Sequence, residues 1–110
     1  MASAFELKKD KTGKYMFNLK AANGEVVLTS EAYSTKDAAE AGIASVIKNA
    51  AEAKNFERKT AADGKPYFSL KSGDNGQTLG RSEMYSGDAA MEKGVKAVMS
   101  AAKGAKTKDV

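Results

Sequence analysis

The chain contains no cysteine and no histidine. Without cysteine there are no disulfides, no thiolate nucleophiles and no thiolate metal ligands. Without histidine the usual general base near neutral pH is missing, and so is the commonest transition-metal ligand. Ser-His-Asp and Cys-His catalysis are therefore excluded. Long apolar runs are also missing. Met1-Ala2-Ser3-Ala4 leads directly into Phe5-Glu6-Leu7-Lys8, with no stretch of signal-peptide or bilayer-spanning length, so a cytoplasmic protein without membrane contact is expected. There is no G-x-G-x-x-G, no phosphate loop and no cluster of metal-ligating residues, and no cofactor is implied.

An excess of one charge sign is missing from most of the chain as well. The net charge is +4. Residues 5–50 and residues 56–100 each carry seven basic and six acidic side chains, giving +1 apiece. The connector 51–55 is neutral, and residues 101–110 add +2 through Lys103, Lys106 and Lys108 against Asp109. A nearly balanced body argues against a dedicated nucleic-acid binder. The small, polar, basic segment 101–110 is expected to be a flexible tail.

What the chain does have is an internal repeat. Displaced by 51 residues, Phe5-Glu6 falls on Phe56-Glu57, Gly13-Lys14 on Gly64-Lys65, and Phe17, Leu19 and Lys20 on Phe68, Leu70 and Lys71. One further residue of displacement places Asn23-Gly24 on Asn75-Gly76, Ser30-Glu31 on Ser82-Glu83, Tyr33-Ser34 on Tyr85-Ser86, and Gly42 on Gly94. Identities number 18 in 43 pairs with a single gap, too many for chance, and the gap falls in a turn, where insertions are tolerated.

Both copies show the same pattern. Phe5–Lys9 alternates apolar and polar, as a half-buried strand does. Thr12-Gly13 and Asp63-Gly64 mark a first hairpin turn, and Asn23-Gly24 a second. Between them Tyr15, Phe17 and Leu19 share one face. After a strand over 25–29, Ser34 or Thr35 can cap a helix in which Ala39, Ile43 and Val46 recur at helical spacing. The second copy predicts strands over 56–60, 65–71 and 77–82 and a helix from about Asp88 to Ser100. Pro66 stands second in its strand, where a missing N–H is tolerable at a strand start or an edge. One such unit is too small to bury a core alone. Two units, 5–50 and 56–100, paired about an approximate two-fold axis make a single domain.

The doubled pattern F-E-x-K, G-K-x-x-F-x-L-K, N-G, S-E-x-Y-S and A-x-E-x-G-[IV] resembles the YegP-like family of small uncharacterised bacterial proteins, from Phe5 to Val98. The resemblance implies an α+β fold. In it two tandem β-β-β-α repeats form one pseudo-two-fold antiparallel sheet, with the helices on one side and strands exchanged between the units. It implies no activity. The second copy departs from the first at Gly87, which replaces Thr35, and at Arg58, which replaces Leu7.

Two groups of residues are candidates for binding. Glu31 and Tyr33, with Glu83 and Tyr85, belong to the most tightly repeated segment and could face a shared ligand. The same residues also suit a strand-to-helix junction, with Ser34 and Ser86 as caps and the tyrosines as staples. The second group is the outward strand face. It presents Lys14, Met16, Asn18 and Lys20 in one copy and Lys65, Tyr67, Ser69 and Lys71 in the other. Lysines bracketing an aromatic resemble a base-stacking platform. Glu6 and Glu57 run in phase with them and are placed to cancel their charge. Gly42 and Gly94, mid-helix, point to a close packing contact. No catalytic residue and no metal site is expected. Glu31 with Glu83 is the one carboxylate pair an enzyme could use. The composition favours a small non-catalytic binding or interaction module over a homo-oligomeric assembly protein or a weak nucleic-acid binder. Its partner, whether another protein or a second copy, is not identified.

Overall fold

The structure, a computed structural model, describes residues 3–110. Seven strands, β1 (Ala4–Lys9), β2 (Tyr15–Lys20), β3 (Val26–Ser30), β4 (Phe56–Thr60), β5 (Pro66–Lys71), β6 (Thr78–Arg81) and β7 (Lys106–Asp109), form one sheet. Two helices, α1 (Lys36–Asn49) and α2 (Asp88–Ala102), lie together on one of its faces. The strand order is β4-β5-β6-β3-β2-β1-β7. The duplicated α+β architecture expected from the repeat is thus present, with the halves joined edge to edge through β3 and β6.

The seam is short. Thr29 pairs with Arg81 and Ser30 with Gly80. Thr29 and Arg81 are equivalent positions of the two copies, so the approximate two-fold axis passes between them. Gly80 is required by close approach: a Cβ there would lie 2.8 Å from the Thr29 carbonyl oxygen and 3.1 Å from Leu28 Cγ. Leu28, the equivalent of Gly80, is buried and takes the space that a second side chain would need.

Two expectations are corrected. Strands are not exchanged between the units, because each half keeps its three strands together in the order. The helices do the crossing: α1 packs on β2 but also on β5 and β6, and α2 packs on β5 but also on β2 and β3. The second correction concerns residues 101–110. Ala101 and Ala102 are buried as the last turn of α2. Lys106–Asp109 then pairs with β1, in parallel, and the Val110 N–H donates to the Leu7 carbonyl at 2.9 Å. Side chains on this strand are exposed, so its composition reads as a tail. It orders because an open strand edge offers backbone donors and acceptors that any extended segment can satisfy. Lys36 also holds Asp109 at 3.1 Å.

The core lies between sheet and helices. Phe5, Leu7, Phe17 and Leu19 of the first half meet Phe56, Phe68 and Leu70 of the second, with Val46 and Val98 reaching down from the helices. The chain extends this symmetry to its irregularities, since a register shift falls after Leu19 and again after Leu70. Asymmetry follows from the edges. Leu7, beneath β7, is buried; at the uncovered β4 edge its counterpart Arg58 instead grips Glu92 through two 2.8 Å bonds. That fork holds the Glu92 carboxyl below its usual range. Among the described residues no helix is long and apolar enough to cross a membrane.

Candidate functional site

The Ser-Glu-x-Tyr-Ser segments resolve into separate tasks. Ser30 Oγ accepts from the Phe17 N–H at 2.8 Å and donates to the Glu31 carbonyl at 2.8 Å. Ser82 does the same for Phe68 and Glu83, at 3.0 and 2.8 Å. These serines supply a backbone partner where the chain leaves the sheet. Of the two caps expected for the first helix, Thr35 is the one used, its Oγ1 accepting from the Ala38 N–H; the Ser34 and Ser86 caps are corrected, since at the second helix Gly87 is the cap, with no side-chain bond from it or from Ser86. Ser30→Ala leaves the buried Phe17 N–H without its partner, and is expected to cost about 1–2 kcal/mol of stability in chemical denaturation.

Tyr33 and Tyr85 each pack within their own half. Each ring stacks on a core phenylalanine, Tyr33 on Phe17 (centroids 6.2 Å apart) and Tyr85 on Phe68 (6.1 Å). Each ring then runs under the following helix at a glycine. A Cβ at Gly42 would lie 2.5 Å from Tyr33 Oη, and one at Gly94 would be closer still to Tyr85 Oη. This accounts for both mid-helix glycines. Tyr33 N–H and C=O also exchange 2.7 Å bonds with Tyr15. In the second copy only Tyr85 N–H to Pro66 O survives, because proline has no N–H to return.

Burial raises the phenol pKa of both tyrosines, Glu31 adding to it at Tyr33 and Glu83 at Tyr85. A folded-state value above the unfolded one means the stabilisation is complete below the ordinary tyrosine pKa of about 10 and is lost as pH rises through the raised value. A melting temperature that falls steeply above that point is expected. Tyr33→Phe should soften the fall, which thermal melts across alkaline pH will show.

Glu31 and Glu83 are exposed and line different recesses. Glu83 sits with Glu25, Tyr85 and Lys93, and Glu31 with Lys59, Tyr67 and Arg81. The structure therefore does not assemble the carboxylate pair that acid–base chemistry would need. Among the described residues no group of three or more Asp or Glu is placed to hold a metal ion.

Two of the four outward strand lysines named above, Lys20 and Lys71, are in ion pairs. Lys20 pairs with Glu6 at 3.1 Å, and Glu57 holds both Lys71 at 2.8 Å and Lys59 at 3.2 Å. Those two lysines keep the Glu57 carboxyl below its usual range. Lys14 and Lys65, at the hairpin turns, are exposed. Cross-strand register draws a single row over all seven strands: Lys108, Glu6, Asn18, Thr29, Arg81, Ser69, Glu57. Polar side chains thus span the whole helix-free face. Arg81 was not among the candidates read from the sequence. The signal for it was the repeat itself, which places an arginine opposite a threonine at the seam.

The chain matches the family model described as "Domain of unknown function (DUF1508)" twice, over residues 10–57 and 61–109. It is 53% identical over 106 residues to UPF0339 protein MS1092 of Mannheimia succiniciproducens, covering 96% of this chain and 93% of that one. It is 47% identical over 98 residues to UPF0339 protein YegP of Escherichia coli, covering 89% and 88%. The solution NMR structure of yegP from E. coli, a protein of unknown function, superposes with a TM-score of 0.92 at 44% identity, covering 99% of this chain and 93% of that one.

Proposed function

The chain belongs to the DUF1508 family, and from that premise we propose that it is a small cytoplasmic, non-catalytic binding module that engages its partner with the helix-free face of the sheet. The observation behind this reading is the polar row from Lys108 to Glu57, which no element among the described residues covers. Core packing needs only the opposite face, so seven exposed strands presenting donors, acceptors and charges of both signs are available for recognition. Glu6 and Glu57 offset part of the charge on Lys20, Lys59 and Lys71, so this face suits small or mixed-charge partners better than a polyanion. The test is an amide-resolved NMR titration of the whole chain with oligonucleotides at low salt and, separately, with a panel of small metabolites. Saturable shifts confined to residues 14–20, 65–71 and their strand neighbours support the reading. Shifts confined to the helices, or none with any class, overturn it.

A second reading, self-assembly, draws on the bare β4 edge, since β7 covers only the opposite one. Glu57, Arg58 and Lys59 place charge along that edge, which opposes strand addition. Light scattering that gives a monomer at high concentration removes this reading.

A further inference from the structure

On the proposed recognition face, and resting on that reading, we infer a specific small-molecule site at the seam. It takes a ligand carrying an oxyanion, carboxylate or phosphate, next to a hydrogen-bond donor. Two independent observations converge there. The first is a recess of about 180 Å³ lined by Glu31, Lys59, Tyr67, Ser69, Thr78 and Arg81. Glu31 comes from the first half and the other five from the second, so only the joined halves create it. The second is Ser69, which is 3% exposed and whose hydroxyl has no hydrogen-bond partner among the described residues. A buried hydroxyl without a partner costs free energy that a well-packed sheet has no reason to keep. The oxygen itself has almost no accessible surface, so a ligand oxygen in the recess ends that cost once the Ser69 side chain turns toward it.

The chemistry of the lining sets the ligand class. Arg81 has no ion-pair partner among the described residues, and its planar fork suits a carboxylate or phosphate. Lys59 adds a second cation, although it shares Glu57. Ser69, Thr78 and Tyr67 offer hydroxyls, and Glu31 is the one carboxylate, which requires a donor on the ligand. Volume bounds the size, because drug-sized sites run from about 300 to 1,000 Å³. The recess is smaller, so it suits a hydroxy acid, an amino acid or a short phosphomonoester.

The pseudo-symmetric position lacks the set. There Asn18 stands for Ser69, Met16 for Tyr67, Val26 for Thr78 and Thr29 for Arg81. The repeat has therefore kept the fold twice and this group of side chains once.

The experiment is a titration of the full chain with inorganic phosphate, malate, serine and glycerol 3-phosphate, followed by amide shifts. Expected are saturable shifts at Glu31, Lys59, Tyr67–Ser69 and Thr78–Arg81, with residues 14–20 silent. Malate or serine binding would assign the carboxylate arm, and glycerol 3-phosphate binding the phosphate arm. Arg81→Gln should weaken binding by about tenfold or more. Ser69→Ala should also weaken it while leaving the melting temperature of the free chain unchanged or raised, which a serine with a purely structural role would not do. Shifts with phosphate alone that persist in Arg81→Gln mean an adventitious ion and overturn the site. So do absent shifts with all four probes. Either result leaves the recognition face to be judged on its own titrations, which cover residues 14–20 as well.

Discussion

Replacing Phe68 by alanine is expected to cost about 3–5 kcal/mol, enough to unfold much of the population of a domain this size. The side chain is fully buried. Its ring meets Phe56 edge-on at 5.6 Å and Tyr85 in a stack at 6.1 Å. It also underlies α2, for its Cε2 would lie 3.2 Å from a Cβ at Gly94. Truncation therefore removes contacts with β4, with the strand-to-helix junction and with α2 together, and leaves a cavity that none of these can close independently. The effect will appear as a drop in the urea midpoint, or as loss of dispersed amide signals if the variant does not fold. Phe17→Ala, which breaks the matching contacts with Phe5 and Tyr33, should fall in the same range. A single transition in each variant, coincident for probes in both halves, would indicate that the halves unfold together.

Gly94→Ala is the second large effect, and its sign opposes helix propensity. An alanine inside a helix normally gains about 0.5–1 kcal/mol over glycine. Here its Cβ would collide with the Tyr85 hydroxyl and lie 2.6 Å from Cζ of the same ring. The ring cannot step aside without leaving its stack on Phe68, so overpacking dominates and a net loss of about 2–3 kcal/mol is expected. The double variant Gly94→Ala with Tyr85→Ala should lose clearly less than the sum of the single losses, because the collision is gone. An additive result in denaturant melts would show that the glycine serves something other than the ring.

The repeat made much of this fold legible. Alternation at Tyr15, Phe17 and Leu19 and helical spacing at Ala39, Ile43 and Val46 carry strands and helix directly, and seeing them twice fixes the pairing of two units. Three things were hidden for physical reasons. β7 forms through its backbone against an open edge, so Lys106–Asp109 bears no apolar pattern to read. The choice of Ser30 and Ser82 over Ser34 and Ser86 as hydrogen-bonding serines depends on which hydroxyl reaches a buried N–H, a matter of three-dimensional placement. Asn49 was passed over for the same reason. Its Oδ1 accepts from the Gly73 N–H at 2.9 Å, docking the turn lengthened by one residue onto the end of α1. Of the binding candidates, Tyr67 and Glu31 meet in one recess and Glu83 and Tyr85 in another, while the rings of Tyr33 and Tyr85 are half-buried and pack against the core. The β5–β6 register sets Arg81 beside Ser69, and the register across the seam brings it to Thr29, two residues from Glu31.

The unequal pair Leu28 and Gly80 also governs which fragments recognise each other. Two first halves brought together would present leucine to leucine at a point with room for one, while two second halves would leave a void where glycine faces glycine. Each piece is thus a poor match for its own kind and a good match for the other. Cut in the connector near Ala53, the chain should behave as a lock and its key: neither fragment forming the sheet when alone, the two restoring it when mixed in equal amounts.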